Sequence, residues 1–358
     1  LVKLIDVLLA SPRYGERWAQ HWLDVVRYAE SDGYNADGYR PESWMYRDYV
    51  IDSINEDKPY DQFVREQLAA DEFAADDPKT LIATAFLRLG VYEWNQRNAE
   101  MQWDLIMTEM TNATSDVFLG ISMGCAQCHD HKFDPILQKD YFALQAFLNT
   151  TWWPEKRSLA TPEEQAVYDK KMVGWKTASG DVQAEIDELT KSHLEKKKAG
   201  IVIQFPAAVQ EMYTKPSAQR SSYEEQVSQL LQRQVDHGFK RINFEKDFAK
   251  DKKKLAKYKE LTKKLKAFEH LKPKPLPLAF VSTDVGTKGA TTFYKENKKK
   301  VSVEPAFMTL LGLPAPDIKP TDKTTGRRTA LANWIANKDN PLSTRVVTNR
   351  IWQRHFGN

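Results

Sequence analysis

The sequence predicts a mainly α chain, with a helical N-terminal domain, a long charged helical insertion and a small β-containing segment. Three patterns predict it. Apolar residues recur at helical spacing near the start, as in Leu4, Val7 and Leu8 and then Trp18, Trp22, Val25 and Val26. Residues 161–270 are rich in Glu, Lys, Gln and Ala with sparse apolar positions. Residues 278–305 instead alternate Val, Thr, Phe and Tyr with polar residues, the signature of short strands and turns.

Taken in order, Ser11-Pro12-Arg13-Tyr14-Gly15 breaks the first helix from the second. Residues 31–38 form a loop of types that tolerate positive φ. Helices follow from Trp44 to Asn55 and from Tyr60 to Ala70, and a third runs from Asp104 to Gly120. Another covers Asp140 to Leu148, and the charged stretch reads as a helical hairpin with a break near Gly200–Pro206. Lys272-Pro273-Lys274-Pro275-Leu276-Pro277 is a linker. Thr325-Gly326-Arg327-Arg328 opens a final helical stretch, and Asn340-Pro341-Leu342-Ser343 caps the helix carrying Asn349, Arg350, Trp352 and His355. The divisions expected are 1–154, 155–271, 272–325 and 326–358, the last being the start of a further helical domain. Both ends read as cut.

The 358 residues allow two or three domains. With 52 basic against 49 acidic side chains, the chain has no electrostatic bias toward nucleic acid, although Lys246–Lys300 is locally basic. No run of about twenty apolar residues occurs, so nothing is expected to span a bilayer.

The two cysteines sit together in Cys125-Ala126-Gln127-Cys128-His129. That spacing suits covalent haem c: the thiols add to the two vinyl groups on one porphyrin edge, and the next histidine presents its imidazole to the iron. Half a zinc site is the first rival, but a second cysteine pair is lacking. A thioredoxin-like pair is the second, but it wants a strand before the first cysteine, where a helix is expected. Cys125 and Cys128 are therefore read as thioether anchors and His129 as the proximal ligand.

The stretch Gly124–Ile136 (GCAQCHDHKFDPI) resembles the signature of the planctomycete cytochrome C family, and Leu8–Glu30 and Tyr46–Asp71 agree with it. Arg327–Gly357 is similar to the opening of the planctomycete-specific domain that follows in such proteins. The resemblance implies a helical c-type haem domain over residues 1–154 and an exported protein, periplasmic or on the cell surface. Oxidation of carbohydrate is a further suggestion of the family.

His21, amid Trp18, Trp22 and Asp24, is the candidate distal iron ligand, with Met107, Met110 and His355 as rivals and core packing as the plain alternative. His131 and Met123 lie too close in sequence to reach the far face of the same iron. His131 and Asp134 read either as a turn, with Asp134 capping a helix after Pro135, or as groups that orient His129 or bind a propionate. Lys132 could screen a propionate. The loop Asp32–Asp37 suggests calcium but misses the EF-hand pattern, since Tyr34 and Ala36 fall on ligand positions.

The function expected is electron transfer by an exported protein with one covalent haem, toward a redox partner protein or a further haem domain. A haem oxidoreductase subunit acting on a carbohydrate or small organic substrate is the second reading. A structural or polysaccharide-binding surface protein with a haem module is the third. A precursor bearing an upstream export signal is expected.

Overall fold

The computed structural model describes residues 2–155, 157–297 and 299–357. The protein is mainly α, with a few short strands. Helices α1 (Val2–Leu9), α2 (Arg13–Val25), α3 (Trp44–Asn55) and α4 (Tyr60–Phe73) come first. The short α5 (Pro78–Leu81) then runs into a 3₁₀ segment, Ile82–Arg88. α6 (Ala99–Thr114) ends in a π turn, Ser115–Leu119, and α7 (Gln138–Leu148) comes after the cysteine motif. No helix among the described residues is long and apolar enough to cross a membrane.

The chain leaves this bundle through strands β1 (Thr151–Trp152) and β2 (Arg157–Ser158) and returns through β3 (Leu278–Ala279) and β4 (Thr283–Asp284). β1 pairs antiparallel with β4 and β2 with β3, so two small ladders close the base of the insertion. The insertion holds α8 (Pro162–Val202), α9 (Ala207–Thr214), α10 (Ser222–Lys240), α11 (Phe244–Asp247) and α12 (Lys252–Lys266). α8 begins at a capping box: Glu164 N–H donates to Thr161 Oγ1 at 3.2 Å, and Thr161 N–H to Glu164 Oε2 at 2.9 Å. A hairpin of β5 (Thr292–Glu296) and β6 (Lys299–Val303) precedes α13 (Arg327–Ile335) and α14 (Ser343–Phe356).

The charged insertion is less solvated than its composition predicts. Val227, Leu230, Leu231 and Val235 of α10 belong to the same apolar core as Phe118, Phe147 and Leu148. Glutamines complete the contact. Gln226 Nε2 donates to the carbonyls of Asn149 at 2.9 Å and Thr151 at 2.8 Å, and Gln229 donates to the Trp153 carbonyl. Gln234 Nε2 reaches the Gln96 carbonyl at 2.6 Å. A pattern that counts glutamine as polar surface misses a helix that buries it by satisfying backbone acceptors.

The most consequential buried group is Arg328, which has no exposed side-chain surface. Its Nη1 and Nη2 each donate to a carboxylate oxygen of Asp71 at 2.6 Å, and Nη2 also donates to Asp284 Oδ1 at 2.8 Å. Nη1 donates to the Leu68 carbonyl at 3.1 Å. Glu72 accepts from the backbone N–H groups of Arg328 at 3.3 Å and Thr329 at 2.8 Å, and so caps α13. The turn entering α13 needs glycine: Gly326 has φ +68°, and a Cβ there would lie 2.1 Å from the Lys319 carbonyl oxygen.

Removing one member of a buried, hydrogen-bonded ion cluster leaves the others desolvated and unpaired. Arg328→Ala is therefore expected to lower the unfolding free energy by about 3–5 kcal/mol in a urea titration. A loss within the range of an exposed pair, below about 1 kcal/mol, would show that the cluster is not a structural tie.

Burial pushes the Glu72 carboxyl from its ordinary 4.5 up to about 7; Arg328 opposes the shift, and Asp284 and Asp71 add to it. The folded state thus holds a proton that the unfolded chain releases. This stabilisation is complete below pH 4.5 and is lost as pH rises through 7. Unfolding free energy measured across that window is expected to fall more steeply with pH in the parent protein than in Glu72→Gln. Equal slopes would refute the assignment.

Candidate functional site

The π turn delivers the chain to the cysteines through Gly120, whose φ of +63° lies in the left-handed region; a Cβ there would come within 2.5 Å of Val346 Cγ2. Residues Gly124–Gln127 then form a 3₁₀ turn. At three residues per turn, side chains three apart eclipse. Met123 and Ala126 are fully buried, and Cys125 and Cys128 share the outer side, both exposed and neither in a disulfide.

The turn is held from several sides. Gln127 Nε2 donates to Thr108 Oγ1 on α6 at 2.9 Å. Gln138 at the start of α7 donates through Nε2 to the Gln127 carbonyl at 3.0 Å and through its backbone N–H to Asp130 Oδ1 at 2.7 Å. His129 is exposed, and its Nδ1 lies 2.7 Å from the Asp130 carbonyl. A ring nitrogen facing a carbonyl must carry the hydrogen, so Nδ1–H donates and Nε2 keeps its lone pair. Tyr141, on the adjoining α7, is fully buried, its hydroxyl beside Thr108 and Thr111 of α6. Burial pushes that hydroxyl up to about 12.

His131 and Asp134 build a turn. The Asp134 N–H donates to His131 Nδ1 at 2.9 Å, and the His131 N–H donates to the Ile136 carbonyl at 2.8 Å. Because Nδ1 already accepts from the backbone, the Asp134 carboxylate 3.2 Å away is not its hydrogen-bond partner in that tautomer. Asp134 does not cap a helix after Pro135, as the sequence suggested. The next helix starts at Gln138, and the carboxylate at its N-terminus is that of Asp140. Asp140 Oδ2 accepts from Leu137 N–H at 3.0 Å, and Oδ1 accepts from Thr309 N–H at 3.0 Å and Thr309 Oγ1 at 2.6 Å. Sequence reading missed this residue as a tie; its only signal was an acid in a first helical turn. Lys132 lies 5.2 Å from the ring centre of Phe133, which is 83% exposed beside the motif.

The other candidates lie elsewhere. Met107 and Met110 are core residues. His21 and His355 gather around Trp18, with ring centres 5.4 Å and 5.0 Å from it. His21 lines a cavity to which no residue of the cysteine motif contributes, and burial there, with Arg354 and Arg17, lowers its pKa against the pull of Asp24. In the 32–37 loop, Asp32 Oδ1 accepts from Arg40 Nε at 2.7 Å and Oδ2 from Trp94 Nε1 at 2.5 Å. Asp37 Oδ1 accepts from Gly33 N–H at 2.8 Å. Both Asp32 oxygens are thus engaged by protein donors, and no group of three or more metal-ligating side chains converges among the described residues.

Residues 1–152 match the family model PSCyt2, described as a protein of unknown function (DUF1549), and residues 327–358 match PSD1, described as a protein of unknown function (DUF1553). No curated protein and no solved structure matches the chain. These findings correct the resemblance drawn from the sequence. The matching families carry no assigned function and neither is the planctomycete cytochrome C family, so the haem reading rests on the residues of the motif alone.

Asp140 joins the exit of the motif to the segment before α13. Asp140→Ala removes three acceptor contacts of a buried carboxylate and is expected to cost about 1–3 kcal/mol of stability by chemical denaturation. An unchanged midpoint would show that Thr309 and Leu137 find other acceptors at no cost.

Proposed function

We propose that the chain carries one haem bound covalently through Cys125 and Cys128, with His129 to hold its iron, and that it relays electrons outside the cytoplasm. The observation that supports this most directly is the arrangement of donors. Two free thiols three residues apart share the outer side of one tight turn, and the adjacent imidazole spends Nδ1–H on a backbone carbonyl, leaving Nε2 available. Ligating histidines are typically oriented in this way, by donating the second ring N–H to a carbonyl or carboxylate. The residues therefore fit the group.

Bound there, the haem would supply a reversible one-electron change at iron. Cys125 and Cys128 would anchor it, and His129 would hold it through Nε2. Gln127 and Gln138 keep the turn rigid, and the His131–Asp134 turn sets the direction in which the chain leaves. Lys132 is placed to balance a propionate charge, and exposed Phe133 offers apolar surface for the macrocycle. Exposure of Cys125, Cys128 and His129 favours exchange with an outside redox partner over chemistry on a buried substrate.

The test is intact mass after denaturation, on protein exported through a host with haem-maturation machinery. An increment of one haem is expected, and Cys125→Ala with Cys128→Ala should remove it. Cytoplasmic expression without that machinery should give colourless protein. Zinc or a free dithiol in protein from the competent host would overturn the reading.

A further inference from the structure

Helices α2, α3, α4 and α14 line an open cavity of about 350 Å³, separate from the cysteine motif. Its walls are aromatic, chiefly Trp18, Trp22, Tyr60 and Phe63. Trp22 is fixed in place: its indole N–H is shared between Tyr46 Oη at 3.2 Å and Gln67 Oε1 at 3.1 Å, and the Phe63 ring centre lies 4.9 Å away. A rigid flat wall of this kind receives a ring.

The polar groups of the cavity are unevenly committed. Arg350 spends both Nη groups on the carbonyls of Val117 and Asp116, at 2.5 Å and 2.9 Å, and Lys58 pairs with Glu66 at 2.5 Å. Arg354 has no hydrogen bond or ion pair among the described residues. Tyr60 and Ser53 also line the cavity; the buried Tyr60 hydroxyl lacks a hydrogen-bond partner among the described residues, and Ser53 lies beside Tyr49. Against these donors stands one carboxylate, Asp57. Free donors outnumber acceptors, so the complementary ligand brings negative charge. The cavity also lies where the two family matches meet, since α2 to α4 come from the first and α14 from the second.

We propose that this cavity binds a small organic anion: a six-membered ring bearing a carboxylate, its ring against Trp18 and Trp22 and its carboxylate on Arg354. The hydroxyls of Tyr60 and Ser53 complete the polar contacts. His21 also lines the cavity, and its imidazole adds a further polar contact there. The proposal is independent of the haem reading, because its readout is binding alone.

Benzoate and glucuronate, titrated separately into the full chain by calorimetry with tryptophan fluorescence in parallel, test it and distinguish an aromatic from a sugar source. At least one should bind, and the uncharged partner, benzamide or glucose, should bind about tenfold more weakly, as expected for loss of a charge-assisted hydrogen bond. Arg354→Gln, on the exposed end of α14, should weaken binding by about the same factor without loss of fold, and Tyr60→Phe should weaken it less. Failure of both anions to bind at millimolar concentration would overturn the proposal. Binding unchanged in Arg354→Gln would overturn it equally.

Discussion

The guanidinium of Arg328 is the contact on which the assembly of this chain depends. It gathers Asp71 from α4 and Asp284 from β4, while Glu72 caps the helix on which the arginine itself sits. Three segments far apart in sequence thereby meet at one point. A single cation among three buried carboxylates would carry excess negative charge, and a proton on Glu72 relieves it. Buried ion clusters contribute little net stability compared with an apolar core, yet breaking one is costly, so such a cluster selects one arrangement of segments over its rivals.

The placement of α14 depends on that tie. Once α13 is fixed by Arg328 and by Glu72, the next helix lies across the π turn, where Arg350 reaches the carbonyls of Asp116 and Val117. The same helix roofs the aromatic cavity. Gly120 lets the π turn end close under Val346 and sends the chain into the 3₁₀ turn that exposes both thiols. The motif and the cavity are distinct sites, and α14 packs on the turn that leads to the one and lines the other.

A second cluster, around α10, obeys the opposite logic. Arg233 lies over Tyr92 at 4.1 Å and Arg88 over Phe280 at 4.3 Å, and both share Glu155. Burial pushes Arg88 down to about 9, with Glu155 opposing and Arg233 and Arg40 adding to the shift. Aromatic faces here offset part of the desolvation that ion pairing leaves uncovered. With the glutamines of α10, this cluster draws a helix of polar composition into the core.

The sequence by itself determined the helical character, the main breaks between helices, and the one motif whose residue types suit haem attachment. These are local properties, set by periodicity, by capping residues and by adjacent side chains, and the chain order displays them directly. Asp140 and Arg328 were legible only as a first-turn acid and one of two arginines, because their roles lie in partners about 170 and 260 residues away. Likewise, nothing in residues 13–25 announced that His21 and Trp18 face a cavity also lined by residues 347–354. Only the tertiary structure decided these points, since burial, pairing and enclosure depend on which distant segments pack together, and periodicity carries no record of that choice.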